Sequence, residues 1–145
     1  MPVLAMAFLS TAVQPWNPSH LDALVDDAAA FNREVGVTGV LLFDGIHFLQ
    51  YLEGPAAGLD VAFARVQRSP HHMGPQELGR GRPGNRLVPD WPMRWLLADP
   101  TQLRRVVNAD WSDDGTADGE RPSADAAIGL LQAYLRPFLS PPSRA

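Results

Sequence analysis

Between Gly36 and Gly54 the chain reads GVTGVLLFDGIHFLQYLEG, two apolar runs separated by Asp44-Gly45. A two-residue Asp-Gly between β-favouring runs is a strong hairpin signal, because both central positions of a type I′ turn need positive φ. The sequence therefore predicts two antiparallel strands here. Successive strand residues face opposite ways, so Ile46, Phe48, Gln50 and Leu52 share one face and His47, Leu49, Tyr51 and Glu53 the other. Gln50 interrupts an apolar row. A buried amide without partners costs about 1–3 kcal/mol, so whatever satisfies Gln50 is the functional question.

The bulk properties limit the answers. The 145 residues are 46% hydrophobic and 19% charged. They suit one soluble globular domain, which at this size buries about 70% of its unfolded surface. With a net charge of −4 and no basic run, binding to nucleic acid is not expected. The absence of cysteine excludes disulfides, thiolate metal sites and a cysteine nucleophile. No apolar run reaches the ~18–20 residues of a membrane span. The N-terminus lacks the charged segment of a signal peptide, and the expected location is cytoplasmic.

Val3–Ser10 reads as a first strand with two apolar faces, one carrying Leu4, Met6, Phe8 and Ser10. Asn17-Pro18-Ser19 opens a helix that runs to about Glu34 and stops at Gly36. Its apolar stripe is Leu21, Leu24, Val25, Ala28, Asn32 and Val35. Asn32 is thus a second amide aimed at the core. A second helix, 56–68, buries Leu59, Ala62, Phe63 and Val66, with Arg65 flanking that row. A short strand near 76–79 and a loop from 80 to 90 follow, and 91–98 reads as a last strand that Pro92 puts at an edge or in an irregular entry. A short helix runs from 99 to about 108. An acidic, turn-rich linker spans 110–123, and Ser123 caps a final helix over 124–135. The tail 140–145 is expected to fray.

The order β-α-β-β-α-β-β matches an α+β ferredoxin-like sandwich, with the C-terminal helices covering the second sheet face. The domain spans 1–98 and the helical extension 99–139.

Two amides converging from different elements supply donors and acceptors for a flat heterocycle with alternating C=O and N–H groups. They do not suit acid–base catalysis, and no enzyme activity is expected. The histidines show no metal-ligand spacing. Glu53 reads as a strand-end carboxylate that caps or pairs with an arginine. Trp91 and Met93, flanking Pro92, read either as core filling or as cover for a bound ring.

FNREVGVTGVLLFDGIHFLQYLEG resembles the signature of the BLUF domain, the blue-light sensor using FAD. The match includes Asn32, Thr38, Gly39, Gly45, Phe48, Gln50, Leu52, Glu53 and Gly54. Ser10, Ala12, His72, Trp91 and Met93 extend it over about residues 3–98. The resemblance implies a ferredoxin-like sandwich with a flavin ring between the two helices. FAD is the expected cofactor, and FMN and riboflavin carry the same ring. By resemblance, Asn32 and Gln50 hydrogen-bond the flavin, and Phe8, Arg65, His72, Trp91 and Met93 line its cleft. In the family, blue light drives electron and proton transfer from a strand-one tyrosine, and the glutamine then rearranges. A protein signalling partner and a homo-oligomer are also implied.

Three departures accompany the match. Phe8-Leu9-Ser10 stands where the family has Tyr-x-Ser, so the ordinary photocycle is expected to be altered or absent. Trp91 is then a candidate substitute donor. Phe31 stands before Asn32 where a polar residue is usual. Ser69-Pro70-His71-His72 replaces Asp-x-Arg-His. A cofactor-free interaction module, with Phe8 and Phe31 closing the pocket and Asn32 and Gln50 satisfying each other, is the alternative. An acylphosphatase-like enzyme needs a glycine-rich anion loop with an arginine after strand one, and Thr11-Ala12-Val13-Gln14 supplies neither.

Overall fold

Nine elements follow the expected order in a computed structural model that describes residues 3–12, 17–68, 72–83, 85–109 and 125–139. They are β1 (Leu4–Ala12), α1 (Pro18–Val35), β2 (Thr38–Phe43), β3 (His47–Gly54), α2 (Ala56–Gln67), β4 (His72–Gly81), β5 (Trp95–Leu97), α3 (Pro100–Val107) and α4 (Asp125–Leu139). The predicted linker 110–123 and tail 140–145 lie outside the described residues.

The strands form one sheet in the order β4-β1-β3-β2-β5. The first four strands pair antiparallel, and β5 joins β2 in parallel. This is the ferredoxin-like arrangement with one strand added at the edge. Strand alternation divides the core into two layers. Met6, Phe8, Leu41, Phe43, Phe48 and Leu52 meet α1 and α2 through Leu21, Val25, Ala29, Leu59 and Ala62. Ala5, Ala7, Val40, Leu42, Leu49 and Tyr51 meet α3 and α4 through Leu103, Val106, Ile128, Leu131 and Leu135. The second face is covered as the sequence implies, with α3 contributing beside α4.

Local chemistry sets the α1 boundaries. The Asn17 side chain accepts from the His20 amide at 2.9 Å, Pro18 fills the first turn, and Gly36 ends the helix at φ 74°.

Four expectations need correction. The hairpin reversal is not a two-residue type I′ turn, because no non-glycine residue has positive φ among the described residues. Gly45 alone turns there, at φ 105°. Asp44 Oδ1 accepts from the Ile46 and His47 amides at 2.9 and 2.7 Å, so its side chain closes the turn. Burial alone would raise the Asp44 carboxyl, but those two amides and the His47 ring outweigh it and hold it below its ordinary value. Ile46 consequently leaves the strand and stands 60% exposed.

β4 is longer than the predicted 76–79, because it lies along β1 through two register shifts, one at Leu78 and one across Gly74-Pro75. β5 is only three residues long, since Trp91–Arg94 take an irregular path into the edge. α4 continues through Pro137 to Leu139, beyond its expected end at about 135. Pro137 removes one amide from the last turn, where few helical bonds remain to be lost.

Candidate functional site

The layer between the sheet and the pair α1/α2 holds most of the residues that the sequence singled out. Phe8 (1% exposed) lies on β1 opposite Gln50 on β3, and Leu41 flanks Gln50 on β2. The Phe63 ring from α2 meets the Phe8 ring with centroids 5.1 Å apart. Phe31 of α1 packs on the same layer, and the Arg65 guanidinium of α2 sits 5.0 Å above its ring. That cation–π contact spans the two helices. Met93 is buried in the same cluster.

The two amides do not pair with each other. Asn32 is 4% exposed and donates through Nδ2 to the Pro92 carbonyl at 2.7 Å. Its Oδ1 accepts no hydrogen bond from the described residues. The Gln50 side chain is half-buried and likewise has no hydrogen-bond partner among the described residues. The mutual satisfaction expected of a cofactor-free module is therefore not formed. One primary amide and one amide oxygen are left for a ligand with complementary donors and acceptors. The edge of an isoalloxazine ring has that pattern, so the donor set fits a flavin.

Not every candidate reaches this layer. Trp91 packs against the opposite core, with Leu87, Val88 and the α3/α4 side chains, and the Arg94 guanidinium lies 4.7 Å from its ring. The register explains this. The Trp91 carbonyl accepts from Gly39 and the Arg94 carbonyl from Leu41, both at 2.8 Å, while Met93 turns under the helices. Of the Trp/Met pair, only the methionine faces the amides. His72 pairs with Ala12 through the backbone, but its side chain lies outside the described residues.

Two features escaped the sequence reading. Trp95 packs on the amide-bearing layer, and its Nε1–H donates to Asp22 Oδ1 of α1 at 2.8 Å. The alternation that puts Leu96 in the other core was available to find it. Glu53, by its position a capping or arginine-paired strand end, is 0% exposed. It accepts from Tyr51 Oη, the Leu87 amide and the Val88 amide at 2.8 Å each, and from Thr38 Oγ1 at 3.2 Å. Its place in the row with Leu49 and Tyr51 already aimed it at the second core. Burial, together with the Glu53 carboxylate, pushes the Tyr51 hydroxyl far above its ordinary value, so Tyr51 stays protonated as a donor. Arg86 does not touch Glu53. It donates to Thr38 Oγ1 at 3.0 Å and to the Gly36 carbonyl at 2.8 Å.

The ferredoxin-like sandwich thus carries, among its described residues, one side-chain amide and one amide oxygen without partners on the sheet face covered by α1 and α2. The family of sensors of blue light using FAD, BLUF, matches residues 3–94, and the chain belongs to it. The photoactivated adenylate cyclase subunit beta of Euglena gracilis is 33% identical over 91 residues, covering 61% of this chain and 11% of that protein. The blue light- and temperature-regulated antirepressor BluF of Escherichia coli is 36% identical over 58 residues, covering 40% of this chain and 14% of that protein. The chain thus corresponds to a small fraction of the length of these relatives. Among solved structures, BlrP1 BLUF has a TM-score of 0.64 at 28% identity, covering 100% of this chain and 99% of that one. Klebsiella pneumoniae BlrP1 with FMN and cyclic diGMP has a TM-score of 0.59 at 35% identity, over 65% of this chain and 25% of that one. No described helix is long and apolar enough to cross a membrane.

Proposed function

We propose that this chain is a flavin-binding blue-light sensory protein whose photocycle differs from that of tyrosine-bearing relatives. The observation that carries the reading is the Gln50 amide, without a hydrogen-bond partner among the described residues, on the sheet face covered by the helix that carries Asn32. Asn32 and Gln50 would hold the ring, FAD in the first instance, while Phe8, Phe63, Met93 and the Phe31–Arg65 pair exclude water around it. Bound flavin supplies the chromophore and, when excited, a strong one-electron acceptor.

Phe8 has no hydroxyl to hand a proton to Gln50, so the glutamine is not driven to rearrange. Trp91, behind the sheet, is poorly placed to substitute. Trp95 is better placed, as the one tryptophan or tyrosine on that face among the described residues. The register Trp95–Leu41–Gln50 sets it two strand spacings from the glutamine, roughly 10 Å. With flavin bound, Trp95 would be the side chain placed to give it an electron, and Asp22 Oδ1, already the acceptor of the Nε1–H, would be placed to hold the indole proton. Return of both to Trp95 would leave no lasting product.

Two measurements test this. Protein purified from cells, with FAD added, is expected to be yellow, and a colourless product overturns the flavin assignment. In the loaded protein, Trp95→Phe is expected to lengthen the flavin fluorescence lifetime several-fold and to remove the transient tryptophanyl signal, while Trp91→Phe changes neither. The reverse pattern would return the donor role to Trp91.

The same reading makes the chain a cytoplasmic sensor that passes its state to a protein partner, without chemistry of its own on a substrate. Self-association is supported by the edge strand β5, where Leu97 is 70% exposed.

A further inference from the structure

The buried carboxylate of Glu53 lies on the far side of the sheet from the amides, and no step above uses it. Its two oxygens accept four hydrogen bonds, two of them from consecutive backbone amides, Leu87 and Val88. The segment that begins there leads to the cofactor face. The Val88 carbonyl accepts from the Trp91 amide at 3.1 Å, and the Trp91 carbonyl accepts from Gly39 at 2.8 Å. The next carbonyl, Pro92, accepts from Asn32 Nδ2 at 2.7 Å. Arg86, immediately before the segment, donates to the Gly36 carbonyl at the C-cap of the helix that carries Asn32. The segment is therefore held at one end by Glu53 and Arg86 and at the other by Asn32.

We propose that Glu53 is a positioning residue for the flavin site, acting through residues 87–92 to fix the Pro92 carbonyl and hence the direction of Asn32 Oδ1. Arg86 supports the same geometry by tying Thr38, which donates to Glu53, to the end of α1. The proposal rests on the flavin reading above. The physical reason is that Asn32 can present its oxygen to a ligand in one fixed direction only while its nitrogen is held. The nitrogen is held by a carbonyl of an irregular segment, which no full strand pairing keeps in place. A carboxylate saturated by four donors is rigid in a way that a strand end is not. In Glu53→Gln the shape is kept, but one oxygen becomes an amide nitrogen facing groups that are themselves donors, so at least one buried amide loses its acceptor.

The test uses the full chain, first without flavin. In Glu53→Gln the side-chain amide protons of Asn32, assigned by their loss in Asn32→Asp, are expected to shift and to exchange with solvent about tenfold faster, the loss of one hydrogen bond. FAD then binds about tenfold more weakly, with its dark absorption band displaced. Arg86→Met, at a partly exposed position, is expected to give smaller changes in the same direction, and it carries the test if Glu53→Gln does not fold. A purely structural role would lower the melting temperature and leave the Asn32 resonances of the folded protein in place. Unmoved Asn32 resonances overturn the proposal whatever the flavin does. A parent chain that takes up no flavin overturns the earlier reading instead, and with it the functional part of this one.

Discussion

Phe8→Tyr is expected to give the protein a reversible blue-light-induced red shift of its flavin band, which the parent chain is expected not to show. Phe8 is fully buried on the amide-bearing face, directly across the ladder from Gln50. A hydroxyl added there enters the layer that holds the Gln50 amide, which has no hydrogen-bond partner among the described residues. It supplies the proton donor that the parent lacks next to the glutamine. Left unpaired, a buried hydroxyl costs about 1–3 kcal/mol. Bonded to Gln50, it regains about 0.5–1.5 kcal/mol, so the variant should fold with nearly the parental melting temperature. Its ring contact with Phe63 must also be kept, since over-packing costs a similar amount. Dark-minus-light spectra of the two proteins check the result. A loaded, stable Phe8→Tyr variant that shows no shift would mean that the rest of the pocket, Phe31 included, blocks the switch.

Gly58→Ala is expected to destabilise the domain by about 3 kcal/mol, lowering the melting temperature by roughly 10 °C, and to weaken flavin binding. Gly58 lies in α2 facing the end of α1. A Cβ there would stand 2.2 Å from the Val35 carbonyl oxygen and 3.3 Å from Val37 Cγ2. Helix propensity alone favours alanine by about 1 kcal/mol, but the contact is with backbone, which cannot rotate away. The clash wins, and α2 must move off α1. Because the candidate flavin site lies between those two helices, its width changes with them. Gly129→Ala in α4, where nothing stands within 4 Å of the added carbon, is the control. It should be neutral or slightly stabilising. Thermal melts and FAD titrations of both variants separate the propensity effect from the steric one.

The sequence carried the architecture because its periodicities were clean. Gln50 and Asn32 stood out only because each broke an apolar pattern on its own element, and both were brought to one layer as expected. The α1 boundaries followed from Asn17, Pro18 and Gly36, whose roles are local. What failed depended on long-range contacts. Trp91 lies in the irregular entry to β5, and Trp95, four positions on, is the first residue of that short strand. Only the register of β5 against β2 decides which of them faces the helices. Glu53 read as a capping or arginine-paired strand end because it stands next to Gly54 at the close of its strand. Its burial depends on two backbone amides and a threonine hydroxyl far away in sequence. The Asp-Gly dipeptide indicated a hairpin correctly but not its turn, since the Asp44 side chain accepted the amides and removed the need for a second positive φ.

The visible absorption spectrum of the purified protein, in the dark and after blue light, tests the central claim most directly. A structured flavin band that returns unshifted after illumination is the expected result, with Asn32 and Gln50 holding the ring and Phe8 withholding the proton. A flavin band that moves to the red and relaxes slowly in the dark would show that the switch works without a strand-one tyrosine, contradicting the role given to Phe8.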